Sequence, residues 1–137
     1  MFGLFKRPSY DLLISPKRFT LSNANVRVEI EPLLTVAGNG RVVSVGARAS
    51  QQIGRVVELL GPAGEEESPR FEQRFRAFEA VFRHLFRAAQ KNAVFALRPD
   101  VRVHGASLLR ELLDGHEERF LRDALVGAGA VMVEFAR

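Results

Sequence analysis

The chain has 137 residues, of which 47% are hydrophobic, so it can form one domain around its own core. It has no cysteine, which excludes a disulfide framework and a thiolate metal site. Its 20 Lys and Arg are interleaved with 16 Asp and Glu for a formal charge of +4, a pattern that fits a salt-bridged surface better than the one-signed stripe of a nucleic-acid binder. No apolar run approaches the roughly 20 residues that span a bilayer. There is also no signal peptide with an apolar core and cleavage site, so the expected location is the cytoplasm.

The predicted elements begin with a leader, residues 1–8, whose Phe2, Leu4 and Phe5 precede Lys6 and Arg7. Such a segment suits either packing against the fold or weak contact with an anionic membrane surface, which would place the chain at the periphery of the inner membrane. Residues 9–46 read as strands. Tyr10–Ile14 and Arg18–Ser22 flank Ser15-Pro16-Lys17, and a turn follows at Asn23-Ala24-Asn25. Val26, Val28 and Ile30 alternate with Arg27, Glu29 and Glu31, the period of a strand with one wet face. Pro32 interrupts that run. Leu33–Val36 and Arg41–Val45 then flank Asn39-Gly40, a tight-turn signal, so one antiparallel meander is expected.

From residue 47 the apolar spacing becomes helical. Ile53, Val56, Val57 and Leu60 predict a helix over 47–60, stopped by Gly61-Pro62. A second helix is predicted over 69–90, capped by Ser68 with Pro69 at its first position. Its stripe of Phe71, Phe75, Phe78, Phe82, Leu85, Phe86 and Ala89 reads as core. Residues 100–135 read as strand, helix, strand in a parallel crossover unit. Within them Asp114 and Glu117 form a capping pair, and Phe120, Leu121, Ala124, Leu125 and Ala128 point inward.

This order of elements is that of an α/β, RNase H-like fold, the fold of each half of actin and its relatives, and particular residues sharpen the comparison. Val45-Gly46, Ala49 and Ile53-Gly54-Arg55 resemble the Val-Gly-x-x-Ala-x-x-x-Ile-Gly-Arg/Lys stretch of the MreB-like, rod-shape-determining bacterial actins. Glu117 to Ala130, with Asp123-Ala124 and Ala128-Gly129-Ala130, is similar to that family's helix ending in Ala-Gly-Ala before a strand. The Met-Phe leader and Asp11 on the first strand are similar too. The resemblance runs the length of the 137 residues and covers the first half of the family's fold. It implies one actin-like N-terminal-half domain, residues 1–137.

The family's aspartate is followed by Leu-Gly-Thr, a turn whose backbone cradles phosphate. Asp11 is followed instead by Leu12-Leu13-Ile14-Ser15-Pro16-Lys17, without the glycine. The resemblance with this departure implies a non-catalytic interaction or assembly module related to the cell-shape cytoskeleton. It would have lost nucleotide binding, hold no cofactor or metal, and take a full-length bacterial actin or a second copy as partner.

No phosphate-binding or dinucleotide glycine motif is present. His84, His104 and His116 lack paired ligand spacing, and Ser107, Asp114 and the nearby histidines carry no nucleophile-elbow pattern. Two alternatives remain open: nucleic-acid binding through the arginine-bearing helix 70–89, and a metal-dependent nuclease built on Asp11 with Glu79 and Asp100.

Overall fold

The computed structural model describes residues 7–36, 42–46, 55–60, 71–91 and 97–136. Strand β1, Ser9–Ile14, sets the frame, because its alternation is complete: Tyr10, Leu12 and Ile14 are buried while Ser9, Asp11 and Leu13 are exposed. β2 (Phe19–Ser22) pairs with β1 antiparallel, and β3 (Arg27–Ile30) pairs with β2 in the same sense. The turn between β2 and β3 is held by Asn23, whose Oδ1 accepts from the backbone N–H of Asn25 (2.8 Å) and of Val26 (3.0 Å).

On its other edge β1 runs parallel to β7 (Asp100–His104), which runs parallel to β8 (Val133–Phe135). The order β3-β2-β1-β7-β8 results. Register places Ile30, Phe19, Leu21, Leu12, Ile14, Val101 and Val103 on one face of this sheet. Helices α1 (Phe71–Ala89) and α2 (Glu117–Ala128) close the core over that face. Phe78 and Phe82 lie against Phe19 at centroid distances of 6.0 Å, and Phe78 meets Phe120 edge-on at 5.2 Å. Phe78, Phe82, Leu85 and Phe86 of the stripe are therefore core, with Phe75 and Ala89 packed against it.

The opposite face carries Arg27, Ser22, Asp11, Arg102 and Glu134 in one row across all five strands. These polar and alternately charged residues suit water, so this face forms no second core.

Two expectations are corrected. The strands do not form one meander: the chain leaves the first sheet at Glu31-Pro32 and starts a second one with β4 (Leu33–Val36). Proline offers no N–H to continue a ladder. The helix expected over 47–60 is not formed at its end, where Arg55–Glu58 is strand β6. β6 pairs antiparallel with one edge of β4, and β5 (Val42–Val45) with the other. Adjacent β-branched Val56 and Val57 favour extended backbone, and β4 supplies an edge that satisfies it, which a four-residue apolar spacing could not reveal. Residues 47–54, the Asn39-Gly40 turn and the Ser68-Pro69 cap lie outside the described residues.

The capping pair is also corrected. Helix α2 begins at Glu117 with His116 as its N-cap and no side-chain cap bond, while Asp114 (φ 51°) and Gly115 (φ 81°) take left-handed backbone that ends the preceding turn. The far end of α2 is held from outside the helix. Arg83 Nη2 donates to the Gly127 carbonyl (3.1 Å) and Arg98 Nε to the Gly129 carbonyl (3.0 Å), placing cations at the negative end of the dipole. Arg98→Ala is expected to lower stability by about 1 kcal/mol, read as a shift in the urea midpoint with unchanged slope.

Candidate functional site

In open sheets with parallel strands, ligand clefts form outside the carboxyl ends of those strands. Here β1 and β7 end at Ile14 and His104, and each is followed by a tight segment: the turn Ser15–Arg18 after β1, and the short 3-10 turn Ala106–Leu109 after β7.

The first turn is closed on itself. Ser15 N–H donates to the Arg18 carbonyl (3.2 Å), Ser15 Oγ donates to the same oxygen (2.6 Å), and Arg18 N–H donates to Ser15 Oγ (3.3 Å). Pro16 has no N–H, so of the four residues only Lys17 keeps a backbone donor outside these bonds. The backbone donors of Ser15 and Arg18 thus already have partners within the turn.

Beside this turn lies a cleft of about 620 Å3. Pro16, Lys17 and Arg18 form one side; Leu108, Leu109 and Leu112 form another; Glu31, Pro32, Leu33, Glu58 and Leu60, where the chain crosses between the two sheets, form the third. The Leu59 N–H donates to the Pro32 carbonyl at 2.9 Å and ties that wall together. Arg18 is bound to Glu29 at 3.0 Å, and Glu29 also takes Arg27 at 2.8 Å. The hydrogen bond from Arg27, with the charges of Arg27 and Arg18, holds the Glu29 carboxyl below the usual glutamate range. Lys17, Glu31 and Glu58 have no ion-pair partner among the described residues. The cleft therefore combines leucine side chains with a rim that carries two cations, Lys17 and Arg18, and two carboxylates, Glu31 and Glu58. Chemically this suits a partner with large apolar side chains and polar groups of either charge.

The predicted site residues fall in several places. Asp11 lies on the wet face, paired in register with Ser22 on one side and Arg102 on the other, and its Oδ1 is 2.8 Å from His104 Nε2. This contact joins residues 93 apart in sequence and follows from the parallel register, in which His104 stands one diagonal step from Asp11. Glu79 belongs to the helical layer, paired with Arg83 at 3.0 Å, and Asp100 pairs with Arg7 at 3.2 Å. The structure thus does not gather the three carboxylates of the nuclease alternative, and among the described residues no group of three acidic or histidine ligands converges. His104 turns to Asp11 and not to Asp114.

Val45 ends β5, Gly46 packs against Ile30, and Arg55 opens β6. Ala49, Ile53 and Gly54, and Phe2, Leu4, Phe5 and Lys6 of the leader, lie outside the described residues. In the second matching stretch Glu117, Ala124, Ala128 and Ala130 are buried and Asp123 is exposed. The four buried positions serve packing. No described helix is long and apolar enough to cross a membrane. The residues that sequence reasoning missed are those of the cleft. Leu108 and Leu112 fall between the strand and the helix expected within 100–135, and Glu58 within the helix expected over 47–60.

No family model and no curated protein sequence matches the chain. Among solved structures it is similar to MreB5 of Spiroplasma citri, crystallised with ADP, at a TM-score of 0.66 and 16% identity over 96% of this chain. The match covers 38% of that protein, so this chain spans little more than a third of its neighbour's length. Identity at this level establishes architecture alone, and together with the sheet order it shows that the chain has the α/β fold of an actin-like, RNase H-like subdomain.

Proposed function

We propose that the protein is a non-catalytic interaction and assembly module of the actin-like class that does not hold a nucleotide. The observation that carries this reading is the turn after β1, where Ser15 and Arg18 satisfy each other and Pro16 contributes no donor. A phosphate loop needs several backbone N–H groups free and converging on one point. Lys17 alone supplies a point charge, without that geometry. The cleft beside the turn, apolar within and charged at its rim, supports a protein partner, either a full-length bacterial actin or a second copy.

Titrating the purified chain with ATP and magnesium by calorimetry is expected to give no binding heat and no turnover. Saturable binding in the micromolar range would remove the reading.

A further inference from the structure

The segment Val26-Arg27-Val28-Glu29-Ile30 is its own complement when reversed about Val28. It contains β3, which ends the order β3-β2-β1-β7-β8 and so forms an outer edge of the five-stranded sheet. Which of its backbone groups are turned outward follows from the hairpin. Asn23 N–H donates to the Val26 carbonyl at 2.9 Å, and the register then pairs Ser22 with Arg27, Leu21 with Val28 and Thr20 with Glu29. In an antiparallel ladder, pairs that exchange both hydrogen bonds alternate with pairs that exchange none. Leu21 and Val28 exchange both, so the N–H and C=O of Arg27 and Glu29 point away from β2. Among the described residues no strand meets them.

The side chains of this edge are open as well. On the wet face Arg27 is 71% exposed and Glu29 35%, and on the core face Val28 is half-buried. Proline, lysine and bulges are devices that blunt a sheet edge, and β3 has none of the three.

A second β3 laid antiparallel along this edge, with the two Val28 residues at the twofold axis, meets the needs of a ladder on both faces. Arg27 of each copy then stands opposite Glu29 of the other. These are the residues whose backbone groups point outward, so each pair exchanges both hydrogen bonds. The same pairs set unlike charges against each other on the wet face. On the core face Val28 meets Val28 and Val26 meets Ile30, apolar against apolar. Sliding the copies by two residues sets Arg27 on Arg27 or Glu29 on Glu29, so charge fixes the register. The other edge of the sheet lacks this symmetry, because β8 turned on itself about Glu134 opposes two carboxylates.

We propose that the protein forms a twofold dimer through β3, which joins two five-stranded sheets into one continuous sheet. The contact is isologous and closes at two copies. The dimer rests on the assembly reading above, takes a second copy as the partner, and uses a surface other than the cleft leucines.

The test is sedimentation velocity on the full chain and on Arg27→Glu, Glu29→Arg and the double exchange. Both positions are exposed, and circular dichroism verifies that each variant stays folded. The wild type is expected to show a concentration-dependent monomer–dimer equilibrium. Either single variant sets like charges opposite one another at both pairs and is expected to dimerise about tenfold or more weakly. Mixed together, the two single variants again oppose unlike charges and are expected to form a one-to-one heterodimer. The double exchange is expected to restore the homodimer for the same reason.

A wild type that is monomeric throughout, or single variants that dimerise as tightly as the wild type, would overturn the proposal. So would a mixture and a double exchange that both stay monomeric, or a dimer lost on Leu108→Asp and kept on Arg27→Glu, which assigns association to the cleft. None of these outcomes touches the reading that nucleotide binding is lost. Conversely, ATP binding would sink that reading and leave the β3 dimer standing.

Discussion

Phe78→Ala is expected to remove about 3–5 kcal/mol of folding stability, the largest loss of any single truncation in the core. Phe78 is fully buried and touches three other rings: Phe19 from the sheet at 6.0 Å, Phe82 from its own helix at 5.8 Å, and Phe120 from α2 at 5.2 Å. Truncation would open a cavity at the point where α1, α2 and the five-stranded sheet meet. It would also delete edge-to-face and stacked contacts worth about 0.5–1.5 kcal/mol each beyond area burial. Domains of this size are stable by only about 5–15 kcal/mol. Urea denaturation should show a sharply lowered midpoint at unchanged slope, and in a wild type near the lower bound the variant would be largely unfolded. A loss below about 1 kcal/mol would mean that the three layers do not converge on this ring.

Gly105→Ala is expected to produce the second largest effect, through backbone and not through burial. Gly105 follows β7 with φ 81°, and a Cβ there would stand 2.5 Å from the Ile14 carbonyl oxygen, a backbone atom of β1. Two costs combine: about 1–2 kcal/mol for left-handed backbone in a residue with a side chain, and about 1–3 kcal/mol for forcing packed atoms apart. Gly115→Ala is the internal control, because Gly115 has the same φ of 81° with nothing within 4 Å of the added carbon. The difference between the two variants in thermal denaturation isolates the steric part, and Gly105→Ala should melt lower by several degrees. Equal melting temperatures would show that β1 and β7 do not approach at their carboxyl ends as described. Because that approach positions Leu108 beside the turn after β1, the same substitution is expected to disturb the cleft.

Much of the framework was legible in the residues. β3 was announced by clean alternation of apolar and polar side chains, because a sheet with one wet face enforces a period of two, and β1 and β2 by residues that suit a pleated surface. Helix α1 was announced by phenylalanines at steps of three and four, and α2 with the strand after it by Phe120 to Ala128 followed by Gly129. β6 was misread because Ile53, Val56, Val57 and Leu60 satisfy a helical spacing as well as a short strand does, and only the free edge of β4 decides between them. Asp114 was misread as a cap because spacing carries no information about φ, and at 114–115 the chain turns left-handed. That no glycine stands between Asp11 and Lys17 could be read directly; the self-satisfied bonding of Ser15 and Arg18 could not.

By itself the sequence determined which side chains must leave water, the absence of thiol chemistry, and a turn after β1 built without glycine. These follow from composition and local spacing, since burial and turn chemistry act over a few residues. Tertiary structure alone decided that Pro32 separates two sheets, that Asp11 meets His104, and that Glu31, Glu58 and Leu108 share one cleft. Each of those pairings joins segments far apart in the chain. Strand register and order create them, and these are set by packing of the whole core, which no local pattern encodes.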